Sequence, residues 1–271
     1  MITSQDYDYL IRLLKDSAGM DLGLDKGYLI RSRLEPLAQK MEFQGLRGLF
    51  DRLQQKKEPL LEEAVVEAML TNESLFFRDS RVFEKMKEII IPKIIENHKI
   101  VRIWSAACST GQEPYSLAML LASMPWESQG CMFEILATDL SRSALSRAAQ
   151  GVYTELEVLR GLNPQLLSLY FEKVSGGWRI KSDISKRVSF HWANLIRLDD
   201  NIGVFDVIFC RNVLIYCDLS VRKSVVQKLG SFLRPDGYLV LGSSENLLNV
   251  SETYSWSQDI GPSIYQRKVV N

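Results

Sequence analysis

Through about the first 70 positions, apolar residues recur three and four apart, in YDYLIRLLKDSAGM, KGYLIRSRLEPLAQKM, LRGLFDRLQQ and LLEEAVVEAMLT. That is the period of one helix face, and no strand-like alternation interrupts it. Gly19, Gly23, Gly27, Gly45 and Gly48 punctuate the runs. The pattern predicts a small all-α domain over residues 1–75. A connecting helix follows over 76–99, DSRVFEKMKEIIIPKIIENH, with Asp79 or Ser80 as its cap.

Near residue 100 the pattern changes to short continuous apolar runs: KIVRIWSA, FEILATDL, RVSFHWANL, FDVIFCRN and GYLVLGSS, with SIYQRK as an edge strand. Amphipathic stretches separate several of them, EPYSLAMLLASM, SRSALSRAAQG and SVRKSVVQKLGSFL. Such an alternation implies an α/β fold with a mostly parallel, doubly wound sheet over residues 100–271. One piece breaks the rhythm, at about 152–190. There NPQLLSLYFEKV reads as helix and Gly176-Gly177 as a hairpin turn, so a small insertion is expected on the sheet's edge.

Composition adds limits. The 33 basic and 33 acidic residues cancel, which disfavours nonspecific nucleic-acid binding. The four cysteines, Cys108, Cys131, Cys210 and Cys217, form no C-x-x-C pair, and His98 and His191 are not spaced as ligands, so no metal site is expected. The opening MITSQDYDYLIRLL lacks a cationic segment followed by an apolar one, and no run reaches membrane-spanning length. With unpaired thiols, this points to the cytoplasm.

Polar and small residues collect where the strands end: Ala107 to Gly111 and then Glu113, Thr138-Asp139, Ala193-Asn194-Leu195, and Cys210-Arg211-Asn212. In open α/β sheets ligands bind beyond these carboxyl ends. Asp139 is placed to accept hydrogen bonds from ribose hydroxyls, or else to cap the next helix. The first loop contains a single glycine, Gly111, so a pyrophosphate is poorly accommodated. A nucleoside carrying positive charge and no phosphate fits better, and S-adenosylmethionine is one. Glu113 would face its ammonium or sulfonium, or act only at a helix start.

The segments TNESLFFRD, RIWSAACSTGQEPYSLAM, ATDLS, FDVIFCRNVLIYCD and LRPDGYLVLGSSENL, in this order, closely resemble the chemotaxis receptor methyltransferase family, CheR. The resemblance runs over nearly the whole chain and is weakest in the first 70 residues. It implies a Rossmann-like methyltransferase domain bearing a small antiparallel subdomain, preceded by an all-α domain. It implies transfer of the methyl group of S-adenosylmethionine to glutamate side chains of chemoreceptors, leaving S-adenosylhomocysteine. By matching motif, Asn72, Ser74 and Arg78 reach the methionine end of the cofactor or the transfer site. Glu113 and Asp139 hold the amino-acid portion and the ribose, and Asn194-Leu195 flank adenine. Arg211-Asn212 complete the pocket, and Tyr216 stands near the transferred methyl. Arg78 and Tyr216 are thus the expected catalytic residues, with Arg78 or Arg211 holding the substrate carboxylate.

The resemblance also implies a partner surface on the basic helix of Lys26, Arg31, Arg33 and Lys40, facing acidic receptor helices. An ordinary solvated face is the other reading, since Arg31 can pair with Glu35. The turn KVSGGWRIK is short for a tether-binding form, so independence of a receptor peptide tether is expected, as is a monomer. Two other functions remain open at this point. One is methyl transfer to a different substrate, which NESLFFRD and the helical domain disfavour. The other is a cofactor-binding scaffold without turnover.

Overall fold

The computed structural model describes residues 2–23, 26–56 and 58–268. They fall into two compact units, 1–71 with 216–221, and 72–215 with 222–271. In the smaller unit α1 (Ser4–Ala18), α2 (Gly27–Lys40), α3 (Gly45–Gln55) and α4 (Pro59–Met69) bury the stripes that the periodicity marks. Leu10 and Leu14, Ile30 and Leu34, Leu49 and Leu53, and Leu61 and Val65 are all buried. A capping box starts α1: Thr3 accepts from the Asp6 N–H while its own N–H donates to the Asp6 carboxylate. Gly19 ends the helix in the left-handed conformation, φ 67°. The segment 216–221 is tied into this unit by backbone and charge. Met20 bridges Cys217, the Asp21 N–H donates to the Tyr216 carbonyl, and Lys15 pairs with Asp218 at 2.7 Å.

The larger unit carries ten strands among its described residues. They are β1 (Ile100–Ala106), β2 (Met132–Asp139), β3 (Val152–Tyr153), β4 (Phe171–Val174), β5 (Gly177–Ile180), β6 (Val188–Trp192), β7 (Phe205–Cys210), β8 (Leu233–Val240), β9 (Tyr254–Trp256) and β10 (Ile264–Arg267). Seven form one sheet in the order β6-β2-β1-β7-β8-β10-β9, parallel from β6 to β8. β10 and β9 are antiparallel additions. The other three form the small antiparallel sheet β3-β5-β4. The chain winds outward from β1 through β2 to β6, then returns to β1's other side as β7. This reversal between β1 and β7 is the switch point where open α/β sheets bind ligands.

All six residues of β7 are buried, including Asp206. Its carboxylate accepts from the Arg102 N–H at 2.8 Å and pairs with Arg234 at 3.1 Å, which is what lets a charge sit in a central strand. The core of this unit runs from Phe76, Phe83 and Met86 through Ile103, Leu117 and Ile135 to Phe209 and Val240.

Two expectations need correction, and a third is met with a difference. SIYQRK is not the edge strand: β10 lies between β8 and β9, and Tyr254–Trp256 forms the edge. The helix in NPQLLSLYFEKV stops at Tyr170, and Phe171–Val174 pairs with β5 as a strand, burying Phe171 against Phe76 and Tyr153. Asp79 does occupy the N-cap of the helix Ser80–Lys85, but makes no side-chain cap bond; its carboxylate is committed elsewhere. That helix continues through one π-helical turn, Met86–Ile90, into Ile91–Asn97, with Pro92 placed in the first turn after the π turn.

Segment 72–79 is pinned by a close backbone approach. A Cβ added at Gly161 would lie 2.0 Å from the Phe76 carbonyl oxygen. Gly161→Ala is therefore expected to destabilise the larger unit by about 1–3 kcal/mol, the cost of overpacking, read as a lowered midpoint in urea unfolding.

Candidate active site

Three strands end level with one another. Ala106 pairs with Thr138 of β2 on one side and Cys210 of β7 on the other. The residues that follow, Ala107, Asp139 and Arg211, consequently leave the sheet side by side. The turns there are tight. Ala107 (φ 62°), Ser109 (φ 53°), Gly111 (φ 92°) and Asn212 (φ 58°) all adopt left-handed backbone, as do Phe77 (φ 48°) and Asp79 (φ 57°) of the approaching segment. Five of these six are not glycine, and such conformations cost of order 1–3 kcal/mol each and concentrate at binding sites.

Asp139 is buried, and its two carboxylate oxygens accept from the Ser109 N–H at 2.7 Å and the Ser141 N–H at 2.8 Å. The Cys108 and Gly111 N–H groups also turn inward, to the Thr138 and Cys108 carbonyls. A phosphate-binding loop presents its N–H groups to the ligand. Here three of them are already donated within the protein, which suits a cofactor without phosphates.

Glu113, in the first turn of the helix Gln112–Ala122, accepts from the Ser105 hydroxyl at 2.7 Å and from Arg211 at 3.1 Å. Arg211 holds the centre. Its side chain is 2% exposed, and its guanidinium also donates to Asp79 at 2.6 Å and to the Arg78 carbonyl at 2.9 Å. Its Nε has no partner among the described groups. A guanidinium held between two carboxylates is already neutralised within the protein. Arg78 is half-buried, and no carboxylate among the described residues pairs with it.

Segment 72–79 lies across the first loop. Ser109 donates to the Asn72 carbonyl at 2.8 Å, the Asn72 amide reaches Ser141 at 3.4 Å, and the Phe77 N–H donates to Ser116 at 2.9 Å. The two phenylalanines anchor it in opposite directions: Phe76 meets Tyr153 edge-on at 5.0 Å, and Phe77 meets Phe83 at 5.2 Å. Ser74 is half-buried in the same segment. Beyond β6, the Asn194 side chain accepts from the Ile196 N–H at 3.2 Å, with half-buried Leu195 between them. Asn194 lines a cavity of about 340 Å³ with Leu136, Thr138 and Trp192.

Asn72, Ser74, Arg78, Glu113, Asp139, Asn194, Leu195, Arg211 and Asn212 all belong to the larger unit, whereas Tyr216 belongs with 217–221 to the smaller one. Arg33, expected on a partner surface, also caps α4. Its guanidinium donates to the Met69 and Leu70 carbonyls and to Thr71 at 2.9 Å. Arg31 pairs with Glu35 at 3.3 Å, while Lys26 and Lys40 are exposed. Sequence reasoning missed Glu245, a buried carboxylate beneath residues 212–215. It was visible only as one letter of GSSENL.

Burial, with Asp139 and Glu113 nearby, raises the Cys108 thiol well above its usual range, so the thiol stays neutral and unreactive. Among the described residues no group of three or more histidine, cysteine and acidic side chains is arranged to hold a metal, and no helix is long and apolar enough to cross a membrane.

Residues 72–259 match the family model described as CheR methyltransferase, SAM binding domain, and residues 5–70 match CheR methyltransferase, all-alpha domain. Among curated relatives, a chemotaxis protein methyltransferase of Pseudomonas putida is 40% identical over 97% of this chain and 98% of its own length. One from Vibrio anguillarum is 37% identical over 98% of each chain, and one from Salmonella typhimurium 31% identical over 91% of this chain and 85% of its own.

Two outcomes follow from the site's electrostatics. Arg211→Met removes the cation between Asp79 and Glu113 and should destabilise the fold by about 3 kcal/mol or more; the double variant with Glu113→Gln should recover part of this in the same denaturation assay. Because the folded state retains the Cys108 proton, and the buried Tyr115 and Tyr153 phenols shift upward for the same reason, stability should fall as pH rises above about 8.5, the range in which unfolded thiols ionise. Thermal melts from pH 7 to 10 check this.

Proposed function

Because the chain belongs to the CheR methyltransferase family, whose S-adenosylmethionine-binding domain it contains, we propose that it methylates glutamate side chains of chemoreceptors to glutamyl 5-O-methyl esters. The observation that carries this reading is the pairing of a loop whose amides turn inward with half-buried Arg78, which no carboxylate among the described residues neutralises. The first suits a sulfonium nucleoside and the second a carboxylate acceptor. The same pairing speaks against a scaffold without turnover, which needs no such cation.

Asp139, fixed by Ser109 and Ser141, would hold the ribose, and Glu113, oriented by Ser105 and Arg211, the ammonium group. Asn194 and Leu195 would border the adenine, with Asn72 and Ser74 at the methionine end and Asn212 closing the wall. Bound there, the cofactor supplies a methyl group made electrophilic by its sulfonium. The chain's residues then have little proton chemistry to do. A glutamate, with an ordinary pKa of about 4.3, arrives already ionised and needs no general base. Arg78 would orient that carboxylate. Positioning of this kind contributes on the order of 7–11 kcal/mol. Arg78 must hold the anion loosely, since stabilising the ground state more than the transition state slows the reaction. The partner is then the cytoplasmic helical region of a membrane chemoreceptor, met by Lys26, Arg31 and Lys40, without a peptide tether and with the enzyme acting as a cytoplasmic monomer. Arg33, on the same helix, also caps α4.

Labelled S-adenosylmethionine and purified receptor cytoplasmic domains provide the test. Base-labile label on the receptor is expected; base-stable label, or none, contradicts the acceptor. Asp139→Ala should weaken cofactor binding at least about tenfold, or 1.4 kcal/mol, in calorimetric titration. Arg78→Ala should lower turnover about 10- to 100-fold, as expected for a lost charged hydrogen bond, with a smaller loss of melting temperature than Asp139→Ala shows.

A further inference from the structure

Glu245 lies in the turn after β8, 8% exposed, and no role in the reaction described above uses it. Its carboxylate accepts four backbone N–H groups. Oε2 takes those of Asn212 at 2.8 Å and Gly242 at 2.7 Å; Oε1 takes those of Val213 at 3.1 Å and Ile215 at 3.2 Å. Three of the four belong to the loop that leaves β7. That loop begins with Arg211, whose guanidinium touches Glu113, and passes through left-handed Asn212. Gly242 makes the arrangement sterically possible. A Cβ there would lie 2.8 Å from Glu245 Oε2 and 2.6 Å from the side-chain Nδ2 of Asn212.

The loop leaving β7 enters only one 3-10 turn, Leu214–Tyr216, whose first N–H groups have no helical partners, and buried ones must be satisfied. A carboxylate offers about four lone-pair sites on two oxygens and so can serve all four donors at once. No other side chain of this size can. A carboxamide of the same shape offers one acceptor oxygen and turns an NH₂ group against two of the donors.

We propose that Glu245 is a positioning residue for methyl transfer: by gathering the N–H groups of residues 212–215 it sets the backbone that holds Arg211 against Glu113. It acts through Arg211 and touches neither cofactor nor acceptor. The inference rests on the methyl-transfer reading given above, but its central observable is the cofactor term and not the acceptor. Glu245→Gln preserves volume and removes the match of donors to acceptors. Its KM for S-adenosylmethionine, and its dissociation constant for S-adenosylhomocysteine, should rise at least about tenfold, while KM for the receptor fragment stays within about threefold. Gly242→Ala, which displaces the carboxylate without deleting it, should move the same two constants in the same direction.

A merely structural role would lower apparent kcat in proportion to the folded fraction and leave both KM values alone. That pattern, or wild-type cofactor affinity in folded Glu245→Gln, overturns the proposal. Should both variants fail to fold, amide hydrogen exchange on the wild-type chain decides. The N–H groups of Asn212, Val213 and Ile215 should exchange at least about 100-fold more slowly than unprotected amides, and rapid exchange of all three overturns the proposal. A wild-type chain that binds S-adenosylhomocysteine but esterifies no receptor would contradict the glutamate acceptor while leaving the cofactor arm of this test intact.

Discussion

A single buried guanidinium joins segments that are far apart in the chain. Arg211, just beyond β7, donates to Asp79 132 positions away and to Glu113 98 positions away, and takes the Arg78 carbonyl as well. Removing such a charge from water costs several kcal/mol, and only two carboxylates with good geometry offset it. The arrangement is therefore close to all-or-none. If the 72–79 segment lifts from the loops, Arg211 loses a carboxylate and a carbonyl while still desolvated. Pre-organisation of the site follows from that penalty more than from the strength of any one hydrogen bond.

The rest of the site is built around this pair of carboxylates. Glu113 is oriented from one side by Ser105 and from the other by Arg211, so its direction is fixed before a ligand arrives. Asp139 is fixed in the same manner by two N–H groups. The strained turns at Ala107, Ser109 and Asn212 are tolerated because neighbouring hydrogen bonds over-determine them. The site thus spends backbone strain on direction, and the chemistry proposed for it needs direction above all.

Much of the architecture was legible because burial writes a period into the sequence. β1, β2 and β7 read directly as continuous apolar runs, and the ends of those runs marked the loops that carry Glu113, Asp139 and Arg211. What periodicity cannot encode is the partner of a polar group. Asp79 sits at a helix N-cap but spends its carboxylate on an ion pair; Arg33 reads as surface charge and also caps a helix. Glu245 looked like turn composition and collects four N–H groups. Each depends on a group brought close by tertiary folding, between 30 and 132 positions away for the bonds that decide the role. The short edge strand Tyr254–Trp256 was missed for a different reason: three residues are too few to show alternation. Phe171–Val174 was hidden because it follows a helix without a breaker.

Methyl transfer at this rim of the sheet requires that it bind a sulfonium nucleoside and not a phosphate. Calorimetric titration of the purified chain with S-adenosylhomocysteine and, separately, with adenosine diphosphate tests it most directly. One-site binding of the thioether nucleoside, with no measurable heat from the diphosphate, is the predicted result. Comparable binding of the diphosphate, or indifference to S-adenosylhomocysteine at millimolar concentration, would contradict it.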